Sequence, residues 1–262
     1  MEQYGLIGYP LGHSFSQRFF TKRFEEDGRD AAYLNFEIPE GRMIVDVVRE
    51  HPDLRGLNCT IPHKQAIIPY LDELDETARE IGAVNVVRIT RRPGKNGDFY
   101  LTGFNSDIIG FTDSLRPLLK PHHRQALVLG TGGASKAVCV ALDRLGIRWK
   151  QVSRTPRPGQ FTYADLMADI VREYPLIINC SPLGMYPHTD TCPDLPYEAL
   201  GPDNLLFDLV YNPVETLFME RGAAHGATVK NGLEMLYLQA IASWKFWNPS
   251  EGDSADSRNH KE

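Results

Sequence analysis

Three features of the sequence predict an α/β fold with two domains. Short apolar runs alternate with helical patterns along the chain, which is typical of sheets covered by helices. From about Asp107 the alternation becomes regular, which indicates a parallel sheet with helices on both faces. The chain has 262 residues, enough for two separate cores. We therefore predict a first domain at residues 1–106 and a second at 107–235, with a C-terminal helix at 236–248 that packs back on the first.

The first domain contains three apolar runs and two helical patterns, followed by a hairpin. The runs predict strands at Tyr4–Gly8, Ala32–Glu37 and Gly56–Thr60. The amphipathic helices are expected at Gln17–Glu26 and Glu40–Glu50. Turn-forming residues at 93–98 separate Ala83–Thr90 from Phe99–Phe104, which predicts a hairpin.

The second domain alternates five apolar runs with helical patterns. The runs predict strands at Ala126–Leu129, Trp149–Ser153, Leu176–Cys180, Leu205–Leu209 and Thr228–Lys230. A last helix is expected at about Gly232–Trp247, after the final strand. The tail at 249–262 is polar and lacks periodicity, so we expect it to be disordered.

Composition and charge exclude several classes of protein. The formal net charge is −6 and no basic stripe is visible, so we expect no nucleic-acid partner. The N-terminus does not resemble a signal peptide, and no apolar run is long enough to span a bilayer. Four widely spaced cysteines indicate thiols in a reducing cytoplasm rather than a disulfide or a metal site. We expect a monomer or homodimer that binds a small molecule, with no membrane partner and no metal.

The strongest local motif is a glycine-rich turn between a strand and a helix. Apolar residues 126–129 lead into Gly130-Thr131-Gly132-Gly133, and small residues from Ala134 open the next helix. Glycine permits the tight turn and lets the backbone approach a pyrophosphate, while the helix N-terminus supplies N–H groups and a positive dipole end. The spacing is Gly-x-Gly-Gly rather than Gly-x-Gly-x-x-Gly. In this context, the motif predicts a Rossmann-type dinucleotide-binding domain.

The residues after the next strand indicate which dinucleotide binds. NAD-specific folds place Asp or Glu there, whereas this chain has Ser153, Arg154 and Thr155. A carboxylate would repel a 2′-phosphate, and a guanidinium can bind it with paired charged hydrogen bonds. The sequence therefore favours NADP over NAD. The alternative is that Arg154 and Arg157 lie on a solvated loop and bind nothing.

Polar residues collect at the predicted strand ends of the first domain. They are Ser14, Ser16, Asn58, Thr60, Lys64, Asn85 and Asp107. Taken singly, Ser16 or Asp107 could cap a helix, and either asparagine could close a turn. Ligands of open α/β sheets bind at the carboxyl ends of strands, so the whole set predicts a site for a polyhydroxylated anion.

The order of these motifs resembles the shikimate dehydrogenase family from about Gly5 to Trp247. The matching segments are Ser14 to Ser16, Asn58 to Lys64, Gly82 to Asn85, Asn105 to Ile108, Gly130 to Ser135, Ser153 to Thr155, Asp208 to Tyr211 and Gly232 to Gln239. The resemblance implies reversible reduction of 3-dehydroshikimate to shikimate by NADPH, a step of chorismate and aromatic amino acid biosynthesis.

The resemblance also implies a role for each matched residue. Substrate binding is implied for Ser14, Ser16, Asn58, Thr60, Lys64, Asn85, Asp107, Tyr211 and Gln239. Cofactor binding is implied for Gly130, Thr131, Gly132, Gly133, Ala134, Ser153, Arg154, Thr155, Leu209 and Gly232. Lys64 and Asp107 would form the general acid–base pair, with the lysine ammonium as the proton donor in the reducing direction.

Four residues depart from the family pattern. His63 replaces the usual aromatic residue before the lysine, and Ser106 replaces threonine. Ile108 stands where glycine is common, and Ser153 replaces asparagine. The first three could adjust the substrate pocket, and the last could soften the preference for NADP. A quinate/shikimate dehydrogenase or a divergent relative that uses NAD therefore stays open, as does a non-catalytic sensor of NADP or shikimate.

Overall fold

A computed structural model describes residues 1–12 and 15–249 of the chain. Two predictions lie outside the described residues: the role of Ser14, and disorder in the tail beyond Pro249. Contacts divide the chain into two compact units. The first contains Met1–Ser106 and the chain from Ala240, and the second contains Asp107–Gln239. The division therefore falls inside the last helix.

The first unit is built on a six-stranded mixed sheet. Its strands are β1 (Glu2–Gly8), β2 (Ala31–Glu37), β3 (Leu54–Cys59), β4 (Glu73–Leu74), β5 (Val86–Thr90) and β6 (Tyr100–Phe104). Their order in the sheet is β2-β1-β3-β5-β6-β4. β1 runs parallel to β2 and β3, whereas β5 runs antiparallel to β3 and β6. The predicted hairpin is confirmed as the β5–β6 pair.

Four α-helices accompany this sheet: α1 (Phe15–Glu26), α2 (Ile44–Glu50), α3 (His63–Ala66) and α4 (Glu76–Ile81). The sequence patterns predicted α1 and α2, but α3, α4 and the two-residue β4 are too short to show a period. β5 begins three residues later than predicted. Gly82 ends α4 with φ of 67°, and the backbone of Val84 then donates to Lys64 instead of joining the sheet.

The C-terminal half of the last helix, α9 (Leu233–Trp247), packs on one face of the first sheet. The Trp247 indole Nε1 donates to the carbonyl oxygen of Val87 at 3.1 Å. A side chain at Gly56 would collide with this indole, so glycine lets the helix lie against β3. Tyr4 and Phe20 belong to the aromatic cluster around Trp247. Mostly aliphatic side chains cover the opposite face of the sheet.

The second unit is built on a five-stranded sheet that is parallel throughout. Its strands are β7 (Gln125–Leu129), β8 (Arg148–Val152), β9 (Leu176–Asn179), β10 (Leu205–Asp208) and β11 (Thr228–Lys230), in the order β11-β10-β9-β7-β8. The other helices of this unit are α5 (Asp107–Leu115), α6 (Gly133–Arg144), α7 (Ala168–Glu173) and α8 (Leu217–Ala224). This confirms the predicted parallel sheet. Its strands therefore end at one common edge.

Among the residues that the structure describes, none of the helices combines the length and apolar character needed to span a membrane.

Candidate functional site

Polar residues of the first unit meet where β1, β3 and β5 come together. The Thr60 backbone donates to the Ile7 carbonyl at 2.9 Å, and the Cys59 backbone donates to the Asn85 carbonyl at 2.8 Å. Asn58 lies one residue earlier in β3, and its side-chain Nδ2 is 3.4 Å from the Asn85 carbonyl. The structure thus brings Asn58, Thr60 and Asn85 together, as their placement at strand ends predicted.

Lys64 lies on α3, and the backbone around it is fixed from three sides. Its own carbonyl accepts from the Val84 N–H at 2.7 Å, which ties α3 to the segment before β5. The His63 backbone donates to the Thr60 carbonyl at 2.9 Å, and its buried imidazole Nε2 lies 2.5 Å from the Ile38 carbonyl. The imidazole therefore provides a polar anchor that a phenylalanine at this position would lack. Lys64 itself is half-buried.

Ser16 lies in the first turn of α1 and is linked to the same cluster through Tyr33. The Tyr33 hydroxyl forms a hydrogen bond with Ser16 and donates to Asn58 Oδ1 at 2.7 Å. Burial raises the pKa of the Tyr33 phenol well above its usual value, and the hydrogen bond with Ser16 acts in the opposite direction. The phenol therefore stays protonated and remains a donor.

Asp107 and Gln239 lie on neighbouring helices of the second unit. Asp107 is the first residue of α5 and is buried, with 2% of its surface exposed. At this N-terminal end the helix dipole favours a carboxylate. Gly110 follows on the same face, where an added Cβ would meet the Met235 carbonyl and lie 3.1 Å from Gln239 Cβ. Glycine at 110 thus allows α9 to pack closely beside Asp107. Tyr211 lies in the loop after β10 and is partly exposed.

The glycine-rich turn joins β7 to the N-terminus of α6. Gly130 adopts φ of 112°, a conformation that L side chains rarely take, and its N–H donates to the Val152 carbonyl at 2.9 Å. Gly132 caps α6, and no atom lies within 4 Å of the position of an added Cβ. Thr131 and Gly132 are exposed. A side chain at Gly132 would occupy the space beside the first N–H groups of α6, so this turn fits a phosphate group.

The Ser153–Thr155 segment lies directly beside this turn. Leu129 and Val152 are paired in register as the last residues of β7 and β8, so the loops that follow the two strands start side by side. The Ser153 hydroxyl accepts from the Thr155 N–H at 3.2 Å and closes a tight turn, which leaves Arg154 exposed at its tip. Burial raises the pKa of the nearby Tyr163 phenol, and the charge of Arg154 acts in the opposite direction. An exposed guanidinium next to the glycine turn fits a 2′-phosphate.

Leu209 follows β10 and Gly232 follows β11, and the two residues are in direct contact. The Leu209 N–H donates to the Asn179 carbonyl at 3.0 Å, and the Gly232 N–H donates to the Val210 carbonyl at 3.0 Å. A side chain at Gly232 would collide with the Leu209 carbonyl. Gly232 is therefore required because the two backbone segments approach closely. Their contact lies at the edge of the sheet where the strands end, as does the glycine-rich turn.

Asp208 supports this loop, and the sequence reasoning assigned it no role. It is fully buried and accepts from Asn179 Nδ2 at 3.0 Å, the Val210 N–H at 3.0 Å and the Thr216 hydroxyl at 2.6 Å. Burial raises its pKa to about 6, although the three hydrogen bonds act in the opposite direction. An acidic residue that ends a fully apolar strand is the signal that could have identified it.

We expect Asp208 to make the protein less stable as pH rises from about 4 to about 6. The folded-state pKa is above the ordinary value of 3.8, so the folded state holds the proton more tightly. Its contribution is present below pH 4 and is lost as pH rises through 6, by up to roughly 3 kcal/mol. Urea unfolding of the wild type and Asp208→Asn at several pH values measures this, because the wild type should lose stability relative to the variant as pH rises over that range. Parallel profiles would show that Asp208 keeps an ordinary pKa.

Comparison with known proteins supports the resemblance of the motifs. A family model for the shikimate dehydrogenase substrate binding domain matches residues 6–87. The NADP(+) shikimate dehydrogenase of Methanococcus maripaludis is 35% identical over 269 residues, which cover 95% of this chain and 92% of that protein.

Two solved structures extend the similarity to the fold. A chorismate mutase/shikimate 5-dehydrogenase fusion protein from Clostridium acetobutylicum matches with a TM-score of 0.82 at 35% identity, covering 94% of this chain and 91% of that one. Shikimate 5-dehydrogenase from Thermus thermophilus, in complex with NADP(H) and shikimate, matches with a TM-score of 0.80 at 30% identity, covering 95% and 94%. The sequence identity and coverage together show that the chain belongs to the shikimate dehydrogenase family.

Proposed function

We propose that this protein is an NADP-dependent shikimate dehydrogenase, which reversibly reduces 3-dehydroshikimate to shikimate. The observation that carries the proposal is the similarity to NADP(+) shikimate dehydrogenases over 95% of the chain. The chain also keeps the family's polar residues at the strand ends of both sheets. In this proposal the first unit binds the substrate and the second binds NADP.

The proposed cofactor site consists of the glycine turn, the Ser153–Thr155 segment and the Leu209–Gly232 contact. The first N–H groups of α6 would hold the pyrophosphate, and Arg154 would bind the 2′-phosphate. Leu209 and Gly232 would lie near the nicotinamide. NADPH supplies the hydride when it is bound.

Lys64 and Asp107 are the residues that we propose for proton transfer. As the carbonyl carbon is reduced, negative charge develops on its oxygen, and the Lys64 ammonium stabilises that charge and donates the proton. Asp107 accepts a hydrogen bond from a substrate hydroxyl and orients the ammonium. Ser14 and Ser16 would bind the substrate carboxylate, while Thr60, Asn85, Tyr211 and Gln239 would contact the ring and its hydroxyls.

We also propose a small molecule as the partner, without nucleic acid, and the cytoplasm as the compartment. A reducing environment is supported by the four cysteines, which form no disulfide: Cys59, Cys139, Cys180 and Cys192.

A spectrophotometric assay of NADP reduction with shikimate tests the function, repeated with quinate and with NAD. We expect turnover of shikimate with NADP, and a much lower kcat/KM when quinate replaces shikimate or NAD replaces NADP. Comparable values for quinate or NAD would assign the protein to the quinate/shikimate or NAD-dependent relatives. Binding of both ligands without turnover would favour a sensor instead.

A further inference from the structure

A buried polar network lies behind the two asparagines of the proposed substrate site. Asn58 Nδ2 donates to the Ser243 hydroxyl at 2.9 Å, and Asn85 Nδ2 donates to the Ser106 hydroxyl at 3.0 Å. The two serine hydroxyls lie 3.3 Å apart. Ser106 and Ser243 have 0% and 1% of their surface exposed, so neither hydroxyl faces solvent. The network therefore connects both asparagines to α9.

Backbone groups determine which way each asparagine amide faces. The Asn85 carbonyl can only accept, so the Asn58 atom 3.4 Å from it must be the nitrogen. The Ser106 N–H can only donate, so the Asn85 atom 2.7 Å from it must be the oxygen. The hydroxyl groups of Ser243 and Ser106 are compatible with either orientation of the amides, because a hydroxyl both donates and accepts. The backbone contacts remove that ambiguity.

This orientation limits what Asn58 can offer to a ligand. One amide hydrogen is directed to the Ser243 hydroxyl, and the other faces the Asn85 carbonyl. The Oδ1 atom accepts from the Tyr33 hydroxyl and keeps a second lone pair. Asn58 is thus arranged to accept a hydrogen bond from a ligand hydroxyl and not to donate one.

We infer that Ser243 on α9 is a positioning residue that holds Asn58 as a hydrogen-bond acceptor for a substrate hydroxyl. Without the Ser243 hydroxyl, the amide nitrogen would lose its closest acceptor and keep the longer contact with the Asn85 carbonyl at 3.4 Å, so the amide would be held less firmly in this orientation. The Ser106 hydroxyl contacts the Ser243 hydroxyl and accepts from Asn85, so it links the position of Asn85 to Ser243 in the same way. A threonine at 106, as in the family pattern, would add a methyl group to this fully buried cluster. The inference rests on the proposed function for the identity of the ligand.

Steady-state kinetics of Ser243→Ala tests the inference. We expect KM for shikimate to rise about tenfold, the scale of one hydrogen bond, while kcat and KM for NADP change less than about twofold. Ser114→Ala is the matched control, because Ser114 is equally buried and its hydroxyl donates to the Phe111 carbonyl of its own helix at 3.1 Å. Unchanged KM for shikimate in Ser243→Ala, or a loss shared by kcat and KM for NADP, would overturn the positioning role.

A second measurement does not depend on turnover. The side-chain amide protons of Asn58, assigned by their absence in Asn58→Asp, should exchange with solvent slowly in the wild type and at least about tenfold faster in Ser243→Ala. Equal exchange in the two proteins would overturn the network itself. If the wild type does not oxidise shikimate, the proposed function fails, while this exchange measurement still decides whether Ser243 positions Asn58.

Discussion

Replacement of Lys64 by alanine is expected to lower kcat about 10²-fold or more, the usual scale for a general acid–base group. The variant loses both the charge that stabilises the developing oxyanion and the proton that neutralises it. Lys64→Met should show a similar loss, because it keeps the length of the side chain but not the ammonium. Initial rates of shikimate oxidation and of 3-dehydroshikimate reduction measure the effect.

The fold should tolerate this substitution, because the backbone of α3 is held independently of the lysine side chain. The Val84 N–H bonds the Lys64 carbonyl, and the His63 imidazole contacts the Ile38 carbonyl. Lys95→Ala is a suitable control, since Lys95 is an exposed lysine in the hairpin turn of the same unit. Turnover of Lys64→Ala close to that of the control would remove Lys64 from the mechanism.

Replacement of Arg154 by alanine is expected to raise KM for NADPH about 10- to 100-fold while KM for NADH changes little. Charged hydrogen bonds contribute roughly 1.5–3 kcal/mol, and only NADPH carries the 2′-phosphate that would accept them. The loss is therefore expected to be selective and not a general weakening of dinucleotide binding. Steady-state kinetics with both cofactors measure the ratio.

Arg172→Ala provides the control, because Arg172 is an exposed arginine on α7 of the same unit. It should leave KM for both cofactors unchanged. An equal loss for NADPH and NADH in Arg154→Ala would contradict the 2′-phosphate assignment. No loss for either would favour the alternative in which Arg154 lies on a loop that binds nothing.

The fold and the location of the strand ends could be predicted because the relevant signals are local. Apolar runs define the parallel sheet, and the glycines at 130–133 fall at a strand-to-helix turn. Four strands, β3, β8, β9 and β10, end one residue earlier than predicted, since polar contacts turn the chain away from the sheet. Asp208 is an example, because its carboxylate accepts from the N–H of Val210. Predicted roles of the site residues stay predictions.

The residues that hold the proposed site residues in place could not be predicted, because their contacts join segments that are far apart in sequence. Tyr33 bonds Asn58 from β2, and Ser243 reaches the same amide from α9, 185 residues away. Neither residue belongs to a motif, and a serine in an apolar helix pattern gives no sign of its partner. Asp208 was part of a motif, but its role depends on Asn179 and Thr216, which only the folded sheet brings to it.

The most direct test of the account follows the hydride itself. The protein is incubated with 3-dehydroshikimate and NADPH that carries deuterium at the transferable position of the nicotinamide, and the product is analysed by mass spectrometry. We expect shikimate that contains one deuterium at the reduced carbon. Shikimate without deuterium, or no shikimate at all, would contradict it.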